Sequence, residues 1–139
     1  MTAQAVAPDA VARTTFGLIG NPNTGKFSYG SGDKAALSVT NANGTCTLDN
    51  AETQTIDVGV NATQPVSFPC SVGHLGRAVN GGYSPANDAH AYASYIIQMY
   101  RDWLGQHPLN GKKILNRTSA PQSGGTGANA YFDGNQTMN

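Results

Sequence analysis

One stretch of this 139-residue chain carries a long helical signal, and it limits the folds open to everything else. Ser84 suits an N-cap, its hydroxyl accepting a free backbone N–H of the first turn, and Pro85 follows at the first helical position, where its missing N–H costs nothing. Asp88 puts negative charge toward the positive end of the helix dipole. Gly105 is a candidate C-cap, and Pro108 stops any continuation. Apolar Ala89, Tyr92, Ala93, Ile96, Tyr100 and Trp103 recur at the spacing of one buried face. Ile97 and Leu104 widen that stripe, and Gln98, Arg101 and Asp102 share the opposite side. The pattern predicts a helix over 85–104 that is covered on more than one side.

The remainder reads as short strands. Residues 26–29, 36–40 and 45–48, the alternating Ile56, Val58 and Val60, and Val66 with Phe68 form a series separated by Gly- and Asn-rich turns. After the helix, 113–115 and 128–132 read as two more, with a Gly/Ser/Pro loop over 120–127. The expected fold class is α+β, antiparallel β-hairpins followed by one long helix. Residues 1–15 read as a disordered leader or linker, and 16–139 as one domain large enough for a real core.

Only 12% of residues are charged and the net charge is zero, which removes the electrostatic case for nucleic acid or an anionic membrane as partner. No apolar run approaches the roughly 20 residues that span a bilayer. Low charge and polar loops favour a disulfide between Cys46 and Cys70 over two free thiols, which places the chain outside a reducing cytosol. In the chain-entropy model such a closure stabilises by about 3 kcal/mol. Residues 1–15 lack the basic start and apolar core of a secretory signal, so an export signal is expected further upstream. Asn43, Asn61, Asn116 and Asn135 each open an Asn-x-Thr glycosylation pattern, a match that arises easily by chance in an Asn/Thr-rich chain.

The residues for catalysis are sparse. His74, His90 and His107 offer no pair on one helical face, and with Glu52 the only glutamate a His-Glu-x-x-His zinc helix cannot be assembled from this sequence. The turn from Gly20 to Phe27 has the glycine spacing and lysine of a phosphate loop, but Phe27 stands where a magnesium-binding Ser or Thr belongs. Asp88 and His90 are two apart on the helix and point in different directions, so His90 is expected to be packed and hydrogen-bonded. No serine has a G-x-S-x-G setting. Taken alone, the residues describe a non-catalytic module.

Four blocks in one order point further: Gly25-Lys26-Phe27-Ser28-Tyr29-Gly30, the run from Val79 through Asn80-Gly81-Gly82-Tyr83-Ser84-Pro85-Ala86-Asn87-Asp88-Ala89 to His90, Met99-Tyr100-Arg101-Asp102-Trp103-Leu104, and Asn129-Ala130-Tyr131-Phe132-Asp133-Gly134. Together they resemble the N-terminal lobe of a thermolysin-family zinc metallopeptidase, in the pseudolysin (bacterial elastase) branch. The placement of Cys46 and Cys70 also resembles a disulfide of that branch. The resemblance implies a secreted, two-lobed endopeptidase. Zinc lies between the lobes, held by His-Glu-x-x-His and a downstream Glu, with the motif's Glu as general base on the metal-bound water. Those groups fall beyond Asn139, so 16–139 is expected to be the N-terminal lobe, without the zinc-binding C-terminal lobe and inactive alone. Calcium is possible in the family.

What the resemblance leaves in this chain is the rim of the cleft, where an extended peptide or protein substrate joins as an added strand. Carried over, Asn129 supplies the amide that grips substrate backbone, Ala130 a carbonyl, and Tyr131 the aromatic position. Phe132 stands where Trp is usual, keeping apolar surface and losing the indole N–H. The sequence departs from the family at 114–119, where a Val-His-Tyr-Gly-like run is usual, and the Met-x-x-Gly-Asp-Gly ending is not completed by Met138-Asn139. The alternative reading is a stand-alone extracellular peptide-binding module without catalysis.

Overall fold

The computed structural model describes residues 11–20, 34–79, 82–119 and 132–139. The elements run β1 (Val11–Leu18), β2 (Lys34–Ala42), β3 (Thr45–Thr47), β4 (Thr53–Asp57), β5 (Ser67–Pro69), α1 (Pro85–Leu104), β6 (Ile114–Thr118) and β7 (Thr137–Met138). The expected α+β class holds, antiparallel strands followed by one helix. β1 begins at Val11, inside the stretch assigned to a leader. The expected strand at 26–29, the phosphate-loop-like turn beyond Gly20 and residues 128–131 lie outside the described residues.

Two sheets divide the strands. β1, β2, β3 and β5 pair antiparallel in that order, and the β2–β3 turn places Asn43 (φ 53°) and Gly44 (φ 83°) in the left-handed region that a two-residue hairpin turn requires. The second sheet, β4-β6-β7, is parallel throughout, which corrects the expectation of hairpins alone. The reason is connectivity. α1 lies between β4 and β6 and returns the chain to the same end of the sheet, as parallel neighbours need.

Ile19, Leu37, Val39, Leu48 and Phe68 form the main core with Cys46 and Cys70, which are joined in a disulfide across 24 residues with Cα atoms 5.0 Å apart. Glycine is required at position 17, because a Cβ there would meet Leu37 Cδ1 at 2.5 Å and Asn87 Nδ2 at 2.7 Å. A smaller apolar cluster of Ala93, Ile97 and Ile114, with Leu109 against it, joins α1 to the second sheet.

α1 has the predicted ends. Ser84 Oγ accepts the N–H of Asn87 at 3.2 Å, and Gly105 (φ 62°) donates its N–H to Arg101 and Tyr100 carbonyls. The buried face is rotated from the predicted stripe: Ala86, Asn87, His90, Ala91, Ala93 and Ile97 face inward, while Ile96 and Trp103 are exposed, Trp103 at 77%. Two of the inward residues are polar, so hydrophobic periodicity alone selected the wrong edge of the helix. β4 shows the same inversion. Thr53, Thr55 and Asp57 turn inward, Ile56 is half-buried, and Val60 is 70% exposed beyond the strand's end.

Candidate functional site

The edge on which the rim is expected begins at β6. Its register on β4 runs from Thr53↔Ile114 to Asp57↔Thr118, and β7 pairs its other edge through Leu115↔Thr137 and Asn116↔Met138. Two further bonds hold this edge, from Leu115 N–H to the Gln136 carbonyl at 2.9 Å and from the Gln136 side-chain amide to the Lys113 carbonyl at 2.8 Å. The chain reaches β7 through a tight turn organised by Asp133. Its Oδ1 accepts the backbone N–H groups of Asn135, Gln136 and Thr137 at 2.8–3.0 Å, and its own N–H donates to the Thr137 carbonyl. The backbone N–H of Asn135, then those of Thr137 and Gln136, hold the carboxyl below the usual range. Phe132 is thereby folded back into an antiparallel bridge with Met138, on the outer side of the three-stranded sheet and 44% exposed. Asn129, Ala130 and Tyr131, the other expected rim residues, lie outside the described residues.

A second feature is the outer face of α1. Tyr95, Ile96, Met99, Trp103 and Leu104 are all exposed, at spacings that place them along one side of the helix. The Tyr92 and Tyr95 rings stand 6.1 Å apart, and Arg101 pairs with Glu52. Exposed apolar side chains grouped on one helix side are a candidate contact surface.

Between α1 and β6 runs a buried polar chain that hydrophobic patterning did not find. Asn116 Nδ2 donates to Thr53 Oγ1 at 2.9 Å and to Thr55 Oγ1 at 3.1 Å. Thr55 Oγ1 meets His90 Nδ1 at 2.9 Å, and His90 Nε2 meets the Ser38 carbonyl at 2.7 Å. Thr53, Thr55 and His90 are fully buried and Asn116 nearly so. Burial pushes the His90 pKa down, outweighing the Ser38 bond and the charge of Asp49, which both raise it. The sequence signal was the alternation of Thr53, Thr55 and Asp57, a regular strand period carried by polar residues. His90 is packed and hydrogen-bonded, as expected.

Other polar residues are similarly committed. Asn87 Nδ2 donates to the Leu18 and His74 carbonyls, so its Oδ1 accepts from His74 Nδ1, at 2.5 Å, while the His74 ring stacks on Phe68. Arg77 spans Asp57 and Ser119 beside an open groove of about 700 Å³. Among the described residues no three His, Cys, Asp or Glu side chains converge, so they do not fit a zinc site and no chemistry is routed through one. Nor is any described helix long and apolar enough to cross a membrane.

The described residues thus form an antiparallel sheet, a capped helix and a parallel sheet whose outer edge is folded back at Phe132. Comparison with known proteins shows the family. The family model of the thermolysin metallopeptidase catalytic domain matches residues 22–139. The hemagglutinin/proteinase of Vibrio cholerae is 31% identical over 126 residues, which is 87% of this chain and 20% of that protein. The virulence metalloprotease of Vibrio anguillarum is 33% identical over 101 residues, 69% of this chain and 16% of the relative. Achromolysin of Achromobacter lyticus is 33% identical over 83 residues, 58% of this chain and 66% of that sequence. The chain belongs to the thermolysin metallopeptidase family. It spans about a fifth of the length of the Vibrio relatives.

Proposed function

We propose that the chain from β1 onward, residues 11–139, forms the substrate-rim lobe of an extracellular zinc metalloendopeptidase, a lobe that holds extended peptide and leaves water activation to a zinc-binding lobe outside these residues. The observation that carries this reading is the uncovered apolar side of α1. A 20-residue helix with Trp103 77% exposed and Tyr95, Ile96, Met99 and Leu104 beside it presents a face suited to a second lobe. In this arrangement Asn129 grips the substrate backbone through its amide, Ala130 offers a carbonyl, and Tyr131 and Phe132 line the rim. The disulfide supports an oxidising, extracellular setting.

Catalysis and binding test this separately. The 139-residue chain, given zinc, is expected to leave casein uncleaved; reproducible cleavage abolished by a chelator overturns the division of labour. Titration with extended apolar peptides is expected to shift the NMR signals of Asn129 and Phe132, and no shift at millimolar peptide removes the rim. A second reading, a binding module complete in itself, draws on the Asp133 turn, which forms the Phe132–Met138 bridge from this chain's residues alone. A monomer with one cooperative thermal transition favours that reading, and self-association through α1 favours the first.

A further inference from the structure

Hydrogen positions in the buried polar chain follow from its partners. The Ser38 carbonyl can only accept, so neutral His90 carries its hydrogen on Nε2. Nδ1 is then bare and accepts the Thr55 hydroxyl hydrogen. Thr55 Oγ1, having given its hydrogen to His90, accepts from Asn116, whose second amide hydrogen goes to Thr53. The order of donors runs one way, and neutral His90 completes it.

The same chain of groups touches the rim. Asn116 lies in β6 opposite Met138 of β7, and Met138 bridges Phe132. The position of α1 therefore reaches the rim through one imidazole, one hydroxyl and one amide. We propose that His90, Thr55 and Asn116 are positioning residues for the Phe132 rim, and that a proton on His90 releases it.

Protonation would reverse the order. His90 Nδ1–H would point at Thr55 Oγ1, and the threonine hydrogen would have to turn away within a fully buried site. Compensation by charge is weak on every side. Asp49, in the β3–β4 connection, is held by Lys113, just before β6, at 2.7 Å. The inward faces of β4 and β6 present Thr53, Thr55 and Asn116, and Asp57 at the end of β4 is paired with Arg77. β2 presents the Ser38 carbonyl, and on α1 itself Asp88 Oδ1 is taken by the Gly20 N–H at 2.8 Å.

Hydrogen exchange on the 139-residue chain tests the coupling, with His90 titration followed by its imidazole NMR signals. As pH falls from 7.5 through the His90 midpoint read from those signals, protection at the Leu115 and Asp133 amides is expected to fall about tenfold, while β2 amides such as Val39 keep theirs. Thr55→Val should lower rim protection at both pH values and remove its pH dependence, and Thr55→Ser should restore both. Rim protection that ignores the His90 charge overturns the proposal. So does loss of β2 and β6 protection together, because a merely structural histidine would unfold the whole chain.

The functional half rests on the peptide-rim reading above. Affinity for an extended apolar peptide, read at the Phe132 ring signals, is expected to fall about tenfold at the same midpoint. No binding at pH 7.5 overturns the rim reading, and the exchange result then still decides whether His90 and the rim are coupled.

Discussion

The two sheets of this protein are held in different ways. Behind β1, β2, β3 and β5 lies an apolar core of Leu37, Val39, Leu48 and Phe68, closed by a disulfide. Behind β4, β6 and β7 the buried apolar residues among those described are Ala93, Ile97 and Ile114, and Thr53, Thr55, Asn116 and His90 lie beside them. Apolar burial tolerates a change of pH and is non-directional. A hydrogen-bond chain has direction, and each member fails when its partner is lost. The antiparallel sheet therefore rests on non-directional apolar contact, and the parallel sheet on a directional chain that passes through His90.

Substitutions in each half can break this contrast. Leu37→Ala should cost about 2–5 kcal/mol in urea unfolding, since Leu37 is fully buried and its loss opens a cavity beneath β2. A cost under 1 kcal/mol would place the main core elsewhere. Next comes Thr55→Val, expected to cost about 1–3 kcal/mol by stranding His90 Nδ1 and one Asn116 hydrogen, with shape nearly unchanged. A neutral result would mean that the second sheet does not depend on its polar chain.

The pH dependence sharpens the comparison. The His90 pKa in the folded protein is depressed below its ordinary 6.5. As pH falls through 6.5 the unfolded chain takes up the proton first, so stability is complete above that value and declines toward the lower folded pKa. Urea midpoints measured from pH 7.5 down to pH 5 should fall steadily, and Thr55→Val should change the slope while Leu37→Ala leaves it unaltered. Trp103→Ser is the smallest expected effect on folding, within about 0.5 kcal/mol at a site 77% exposed, but it should reduce self-association in sedimentation velocity.

Much of this was legible in residue order. Ser84, Pro85 and Gly105 mark the ends of α1 by local chemistry, and Asn43-Gly44 marks a hairpin because its backbone requirement is satisfied within the turn. The disulfide partners were legible because the chain has two cysteines. Inward-facing positions of β4 and α1 were misread, because patterning scores apolar side chains and their buried positions include Thr53, Thr55, Asn87 and His90. Those residues can be buried only where a partner waits, and the partners lie up to 69 positions away in sequence.

Local sequence thus determined α1 with its caps, the Asn43-Gly44 turn, strands near β2, β3 and β5, and the membership in a peptidase family that its ordered blocks carry. Tertiary structure alone decided that β4 pairs parallel with β6, that the threonines turn inward, and that the outer side of α1 is left open. The physical reason is range. Caps and turns are satisfied within a few residues, whereas a buried hydroxyl, amide or imidazole is satisfied by groups that only the folded chain brings together.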